Sequence, residues 1–223
     1  ADVNAAVVLG VLLALSGCAT AEPESYLFYL HGQIVEGSDG RPEHPEYGVY
    51  DYPAIVAAFQ ERGFTVVSEI RPAETDGLAY AGELAEEIQG LLDSGVPPER
   101  IAVVGASKGG GIAVALSSML ANERIRFVFM GTCVNWIRDW PALELRGRVL
   151  SIVEETDTVA GSCLEPFESS DIIPVFREIR IHTGRGHGAF YEPLPAWMEP
   201  AVSWASGETP DDPVQKLLPF RQD

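Results

Sequence analysis

The segment Gly105-Ala106-Ser107-Lys108-Gly109 fits the pattern G-x-S-x-G. It directly follows an apolar run, Ile101 to Val104, and opens a segment of helical period from Gly109. A serine on a sharp strand-to-helix turn projects its hydroxyl from the edge of a sheet, as a nucleophile must. Flanking glycines remove side chains that would clash in such a turn. The helix that follows places a positive dipole end beneath the site and favours developing negative charge. The plainer alternative is a serine at an ordinary strand-to-helix turn.

A serine hydroxyl is a weak nucleophile without an adjacent base. Of the four histidines, His31 ends the first apolar run, His44 lies in a proline-rich loop and His182 lies within or at the end of the last run. His187, in the glycine-rich loop Thr183 to Gly188, alone follows Ser107 in sequence and lies on a loop just after a strand. It is the expected base. An acid that orients the imidazole should fall between the two. Asp157, a few residues past the run Val149 to Val153, is the leading candidate; Glu154 and Glu155 compete with it, and Asp139 and Asp171 are more distant. An oxyanion hole needs two backbone donors aimed where charge develops. Lys108 supplies one. Gln33, in the turn His31-Gly32-Gln33-Ile34, is expected to supply the other, with Ile34 as the alternative. A metal site from His31, His44 and His187 is conceivable, but no usual ligand spacing appears, and neither metal nor cofactor is expected.

Elements must hold these residues together. Short runs rich in Val, Ile, Phe and Tyr (Tyr26 to Leu30, Phe64 to Ile70, Ile101 to Val104, Phe127 to Met130, Val149 to Val153, Ile179 to Ile181) read as strands buried on both faces. Between them Tyr52 to Arg62, Gly77 to Leu92 and Gly109 to Ala121 read as helices, with a final helix from about Ala196 to Ser206. This alternation predicts an α/β doubly wound, mostly parallel sheet of about six strands with helices on both faces. Such folds bind ligands beyond the carboxyl ends of their strands.

The order Ser107, Asp157, His187, the turn Gly105 to Gly109, the His31-Gly32 turn and the alternating strands resemble the α/β-hydrolase superfamily over nearly all of residues 25 to 206. The resemblance implies a compact version. No room precedes Tyr26 for the first two strands of larger members, and Gly131 to Arg148 is too short for a large lid. Lys108 is less usual after the nucleophile than a small or aromatic residue, but the donor there is backbone. Members of the superfamily hydrolyse esters, thioesters, amides or peptides, or transfer acyl groups, and some have lost catalysis, so the fold does not choose.

The N-terminus carries a second resemblance. An apolar run from Ala5 to Leu15 ends in Leu15-Ser16-Gly17-Cys18, which resembles the lipobox of bacterial lipoproteins, whose cysteine is acylated. The run is short for a membrane span. Ala1 to Asn4 lacks the basic residues of a signal n-region and an initiator Met, so the native start is expected upstream; a buried N-terminal helix is the alternative. The expected layout is a signal peptide at 1–17, a linker at 18–25 after the lipobox cysteine, the hydrolase domain at 26–206 and a C-terminal tail at 207–223. Cys133 and Cys163 would then share an oxidising compartment, where they could form a disulfide or remain two buried thiols. With 33 acidic against 15 basic residues the net charge is -18, which repels phosphates and makes nucleic acid an unsuitable partner.

These readings converge on an exported, cell-envelope lipoprotein, tethered through Cys18 alone, that acts as a serine hydrolase on a small ester or acyl substrate. A serine peptidase or amidase and an inactive binding lipoprotein are the alternatives. The long loop Gln33 to Tyr52 is expected at the mouth, with His31, Gly32, Tyr47 and Tyr50 as substrate-binding candidates and Trp136, Trp140, Phe190 and Tyr191 adding aromatic wall.

Overall fold

The computed structural model describes residues 24–133, 144–164 and 175–208. The expected signal peptide, Cys18, Trp136, Asp139, Trp140, Asp171 and most of the expected tail lie outside the described residues. Six parallel strands form one sheet: β1 (Tyr26–Leu30), β4 (Thr65–Val67), β5 (Ile101–Ala106), β6 (Arg126–Met130), β7 (Arg148–Glu154) and β8 (Val175–Ile181), in the order β4-β1-β5-β6-β7-β8. A two-stranded ribbon, β2 (Glu43–His44) with β3 (Gly48–Val49), folds within the long loop after β1.

Because successive strand residues face opposite sides, β1 serves two cores. Leu27 and Tyr29 pack with helices α1 (Tyr52–Gln60) and α4 (Pro195–Ser206), through Phe59, Trp197 and Trp204. Phe28 and Leu30 pack with α2 (Gly77–Asp93) and α3 (Lys108–Leu120), through Leu84, Ile88 and Ile112. The sheet is thus buried on both faces, the doubly wound arrangement that the apolar runs predict. Two helices start on aspartates whose carboxylates accept from their first turns, Asp51 from the Ala54 N–H and Asp76 from those of Leu78 and Ala79.

Two strand bounds differ from expectation by three or more residues. β4 stops at Val67, where Ser68 instead donates its hydroxyl to the Tyr29 carbonyl at 2.6 Å. β8 begins at Val175, earlier than its apolar end suggests, because this edge strand alternates buried residues with Arg177 and Arg180. The crossover from β1 leads outward to β4 and that from β5 leads the other way to β6. Their carboxyl ends flank the crevice that such a reversal opens.

Candidate active site

Ser107 stands at the end of β5 with φ 53° and ψ -120°, a region that L-residues enter only when their surroundings impose it. The surroundings here are close backbone approaches. A Cβ on Gly105 would lie 2.3 Å from the Gly109 carbonyl oxygen, and one on Gly109 would lie 2.0 Å from that of Leu30. The Ser107 N–H donates to the Met130 carbonyl at 2.9 Å, which ties the turn to β6. Ser107 occupies the N-cap position of α3, yet its side chain makes no capping bond. Its hydroxyl therefore remains free for other chemistry.

His187 lies in a short 3-10 turn, Gly186–Phe190, past the end of β8 and is buried. Its Nδ1 lies 2.8 Å from Asp157 Oδ2, and the Asp157 side chain is itself fully enclosed. A carboxylate only accepts, so Nδ1 carries the hydrogen and Nε2 is left as the acceptor. Asp157 Oδ1 accepts the N–H groups of Val159 (2.8 Å) and Ala160 (3.1 Å), which fixes the carboxylate with Oδ2 towards the ring. The ring packs on Gly131, where a Cβ would come 3.2 Å from His187 Cε1. Gly131 directly follows Met130, the residue that holds the Ser107 N–H. Serine, imidazole and acid thus each follow the carboxyl end of a strand, β5, β8 and β7; the structure joins His187 to Asp157 and shows no hydrogen bond between His187 and Ser107.

The acid's two competitors have other partners. Glu154, 1% exposed, accepts five bonds: from the N–H and hydroxyl of Thr156 (2.6 and 2.7 Å), the N–H and hydroxyl of Thr183 (both 3.0 Å) and the Gly184 N–H (2.9 Å). It joins the loop of Asp157 to the loop of His187. Glu155 pairs with His182 at the surface. A second buried carboxylate, Glu178 of β8, accepts from the hydroxyls of Ser151 and Ser162 and from the Cys163 N–H, and so secures the far end of the acid loop. Cys133 and Cys163 are joined by a disulfide that ties this end to the segment after β6. Nothing in the sequence marks Glu154 as a clamp beyond its spacing from Thr156, because its other partners lie 29 and 30 residues away.

The turn after β1 carries the other expected groups. Gln33–Val35 forms a 3-10 turn whose first helical bond runs from the Val35 N–H to the Gly32 carbonyl at 3.2 Å. The N–H groups of Gln33 and Ile34 precede that bond, and Lys108, as the first residue of α3, likewise has an N–H with no acceptor in its helix. Gly32 faces the nucleophile: a Cβ there would sit 3.6 Å from Ser107 Cβ. Two substrate-binding expectations need correction. His31 is fully buried, with Nδ1 2.8 Å from the Gly32 carbonyl and Nε2 accepting the Arg71 N–H at 3.1 Å. Tyr50 is 1% exposed and its hydroxyl lies 2.6 Å from that of Tyr29 and accepts the Gly32 N–H at 3.4 Å. Both hold the turn from behind and present no surface to a ligand.

Tyr47 is placed differently. Half-buried, it stacks on His44, lies 6.2 Å from the His187 ring and packs over Gly188. Together with Glu46, Gly48, Thr156, Thr158 and Arg185 it lines a cleft of about 560 Å³ beside the acid and base loops. The lining is mostly polar. Ser107 is not among the residues that line it.

No family model matches the sequence, and no curated protein matches it. Solved structures do resemble it. A Thermoplasma acidophilum protein described as a predicted CIB-like hydrolase aligns over 84% of this chain and 89% of its own, at 18% identity and a TM-score of 0.55. A Xanthomonas campestris pv. campestris protein described within the alpha/beta superfamily of hydrolases aligns over 84% and 98%, at 12% identity and a TM-score of 0.52. Esterase PE8 aligns over 81% and 91%, at 16% identity and a TM-score of 0.51. With the strand order and the placement of Ser107, these likenesses show that the chain adopts the α/β-hydrolase fold.

Proposed function

We propose that the protein is a serine hydrolase that cleaves carboxylic esters through an acyl-enzyme. The observation that carries this reading is the His187 imidazole held at Nδ1 by a buried carboxylate, on the same end of the sheet as the strained Ser107, whose hydroxyl is unused by the helix it caps. In the first step Ser107 Oγ attacks the ester carbonyl while His187 Nε2 takes its proton, and Asp157 stabilises the imidazolium through Nδ1–H. The tetrahedral oxyanion is held by the N–H groups of Lys108 and of Gln33 or Ile34. His187 then gives the proton to the departing alcohol. Water, deprotonated by the same imidazole, repeats the sequence on the acyl-enzyme and releases the acid.

Two observations bear on substrate. A substrate that extends from Ser107 past the His187 loop would meet the polar cleft lined by Tyr47, Thr156, Thr158, Glu46 and Arg185, which supports a polar, soluble ester over a long apolar acyl chain. The name of esterase PE8 lends support to an ester rather than an amide. The Cys133–Cys163 disulfide supports an oxidising location and, with the Cys18 motif, the reading of an exported lipoprotein.

A fluorophosphonate probe tests the chemistry. The folded wild-type protein is expected to gain one adduct by mass, on Ser107, and S107A none. Absence of any adduct on folded wild-type protein overturns the proposal. Matched nitrophenyl ester and nitroanilide substrates then separate esterase from amidase.

A further inference from the structure

The two donors of the proposed oxyanion hole sit on different elements, Lys108 on α3 and Gln33 or Ile34 on the turn after β1. Their separation must be fixed to a fraction of an ångström for both to meet one oxygen. The side chain of Lys108 supplies a tie. Its Nζ lies 2.8 Å from each carboxylate oxygen of Glu36, three residues beyond Gln33. Glu36 is 3% exposed in its side chain and Lys108 only 21%, so the pair is shielded from most competing water. Such a pair is worth more than a surface one, because solvent screens it less.

Arg71 holds the same carboxylate from the other side. Its Nε donates to Glu36 Oε1 at 3.2 Å, and its Nη2 donates to the His31 carbonyl at 2.5 Å. Through its N–H it also fixes His31, which in turn bonds Gly32. Arg71 therefore anchors the turn to the body of the fold, whereas Lys108 alone among these charges belongs to the nucleophile's own element.

We infer that the Lys108 ammonium, acting through Glu36, is a positioning group that sets the spacing between the two halves of the oxyanion hole, while the backbone N–H of the same residue is one of the donors. This rests on the serine-hydrolase reading above. Removing the ammonium leaves Glu36 paired with Arg71, so no carboxylate is left buried alone and the fold is kept. What is lost is the registration of the turn against α3, which matters only when charge develops on the substrate oxygen. The loss should fall on kcat rather than KM.

The test compares wild type, K108M, K108R and S107A on a soluble nitrophenyl ester, with Tm measured for each. K108M is expected to lower kcat about 10- to 100-fold, below the loss for deleting a whole donor. KM should stay within about 3-fold, and fluorophosphonate labelling should slow in parallel with kcat because its adduct uses the same hole. K108R, which can still pair with Glu36, should recover most of the rate. A K108M enzyme with wild-type kcat below its Tm, a change confined to KM, or a K108R enzyme as slow as K108M overturns the inference. If K108M does not fold, K108Q is read by the same criteria. Failure of the underlying reading looks different: S107A then turns over ester as fast as wild type, whatever happens at Lys108.

Discussion

Burial, and the Arg71 charge beside it, lower the pKa of His31 from 6.5 to about 4. The folded chain thus resists a proton that the unfolded chain accepts, and stability is lost as pH falls from about 6.5 to about 4, by roughly 3 kcal/mol. Glu154 acts in the adjoining window. Burial raises its pKa, but bonds from the hydroxyls and N–H groups of Thr156 and Thr183 outweigh it and bring the value from 4.5 down to about 2. Its contribution is present above about 4.5 and is lost as pH falls towards 2. Melting temperatures across pH 7 to 3 should therefore decline in two stages, with H31Q flattening the upper stage and E154Q the lower; a wild-type Tm flat between pH 6.5 and 4.5 refutes the first. D157N should lower kcat by roughly 1,000- to 10,000-fold while leaving Tm much less affected, since it disturbs the tautomer that His187 needs. At this scale the pairing of His187 with Asp157 and the place of Ser107 on its turn were legible from chain order and position alone. Glu36 and Arg71 could not be assigned roles, and Glu154 reads in the sequence as a competing acid rather than as a clamp, because their partners come together only through the fold.

The strands were legible as short apolar runs because a sheet covered on both faces leaves no polar alternation to confuse the pattern. The ribbon of β2 and β3 was not, since two-residue strands carry no period, and the edge strand β8 was seen only at its apolar end. The acid loop between β7 and Cys163 illustrates what elements add to residues. It is held at its start by Glu154, at its end by Glu178 and across to the β6 side by the disulfide, whose partners are 30 residues apart. Closing a loop of that length contributes about 3 to 4 kcal/mol on the chain-entropy account. The paired variant C133S/C163S should unfold at lower denaturant concentration by about that amount. It should also lose kcat under conditions where it is still folded, as Asp157 becomes less well held; unchanged kcat would show that Glu154 and Glu178 suffice. G109A is expected to be more severe than a surface substitution, by roughly 1 to 3 kcal/mol, because its methyl group meets the Leu30 carbonyl.

Across the whole molecule, the net charge of -18 gives a field that disfavours polyanionic ligands, and it offers no clue to the proposed reaction, which would depend on three side chains at one edge of the sheet. If Cys18 is acylated, cells supplied with labelled palmitate should yield labelled protein in the membrane fraction, and C18S should abolish the label without altering kcat/KM on a soluble ester. The described chain enters β1 at its amino end, and because all six strands run parallel, that entry lies on the edge of the sheet opposite Ser107, Asp157 and His187. The five residues of β1 alone separate the two edges by about 16 Å. An attachment made next to the start of β1, whether a lipid, an affinity tag or a chemically activated bead, would therefore lie away from the mouth: coupling at Glu24 should leave turnover of soluble esters near the free-solution value, and coupling through the 183–191 loop should not.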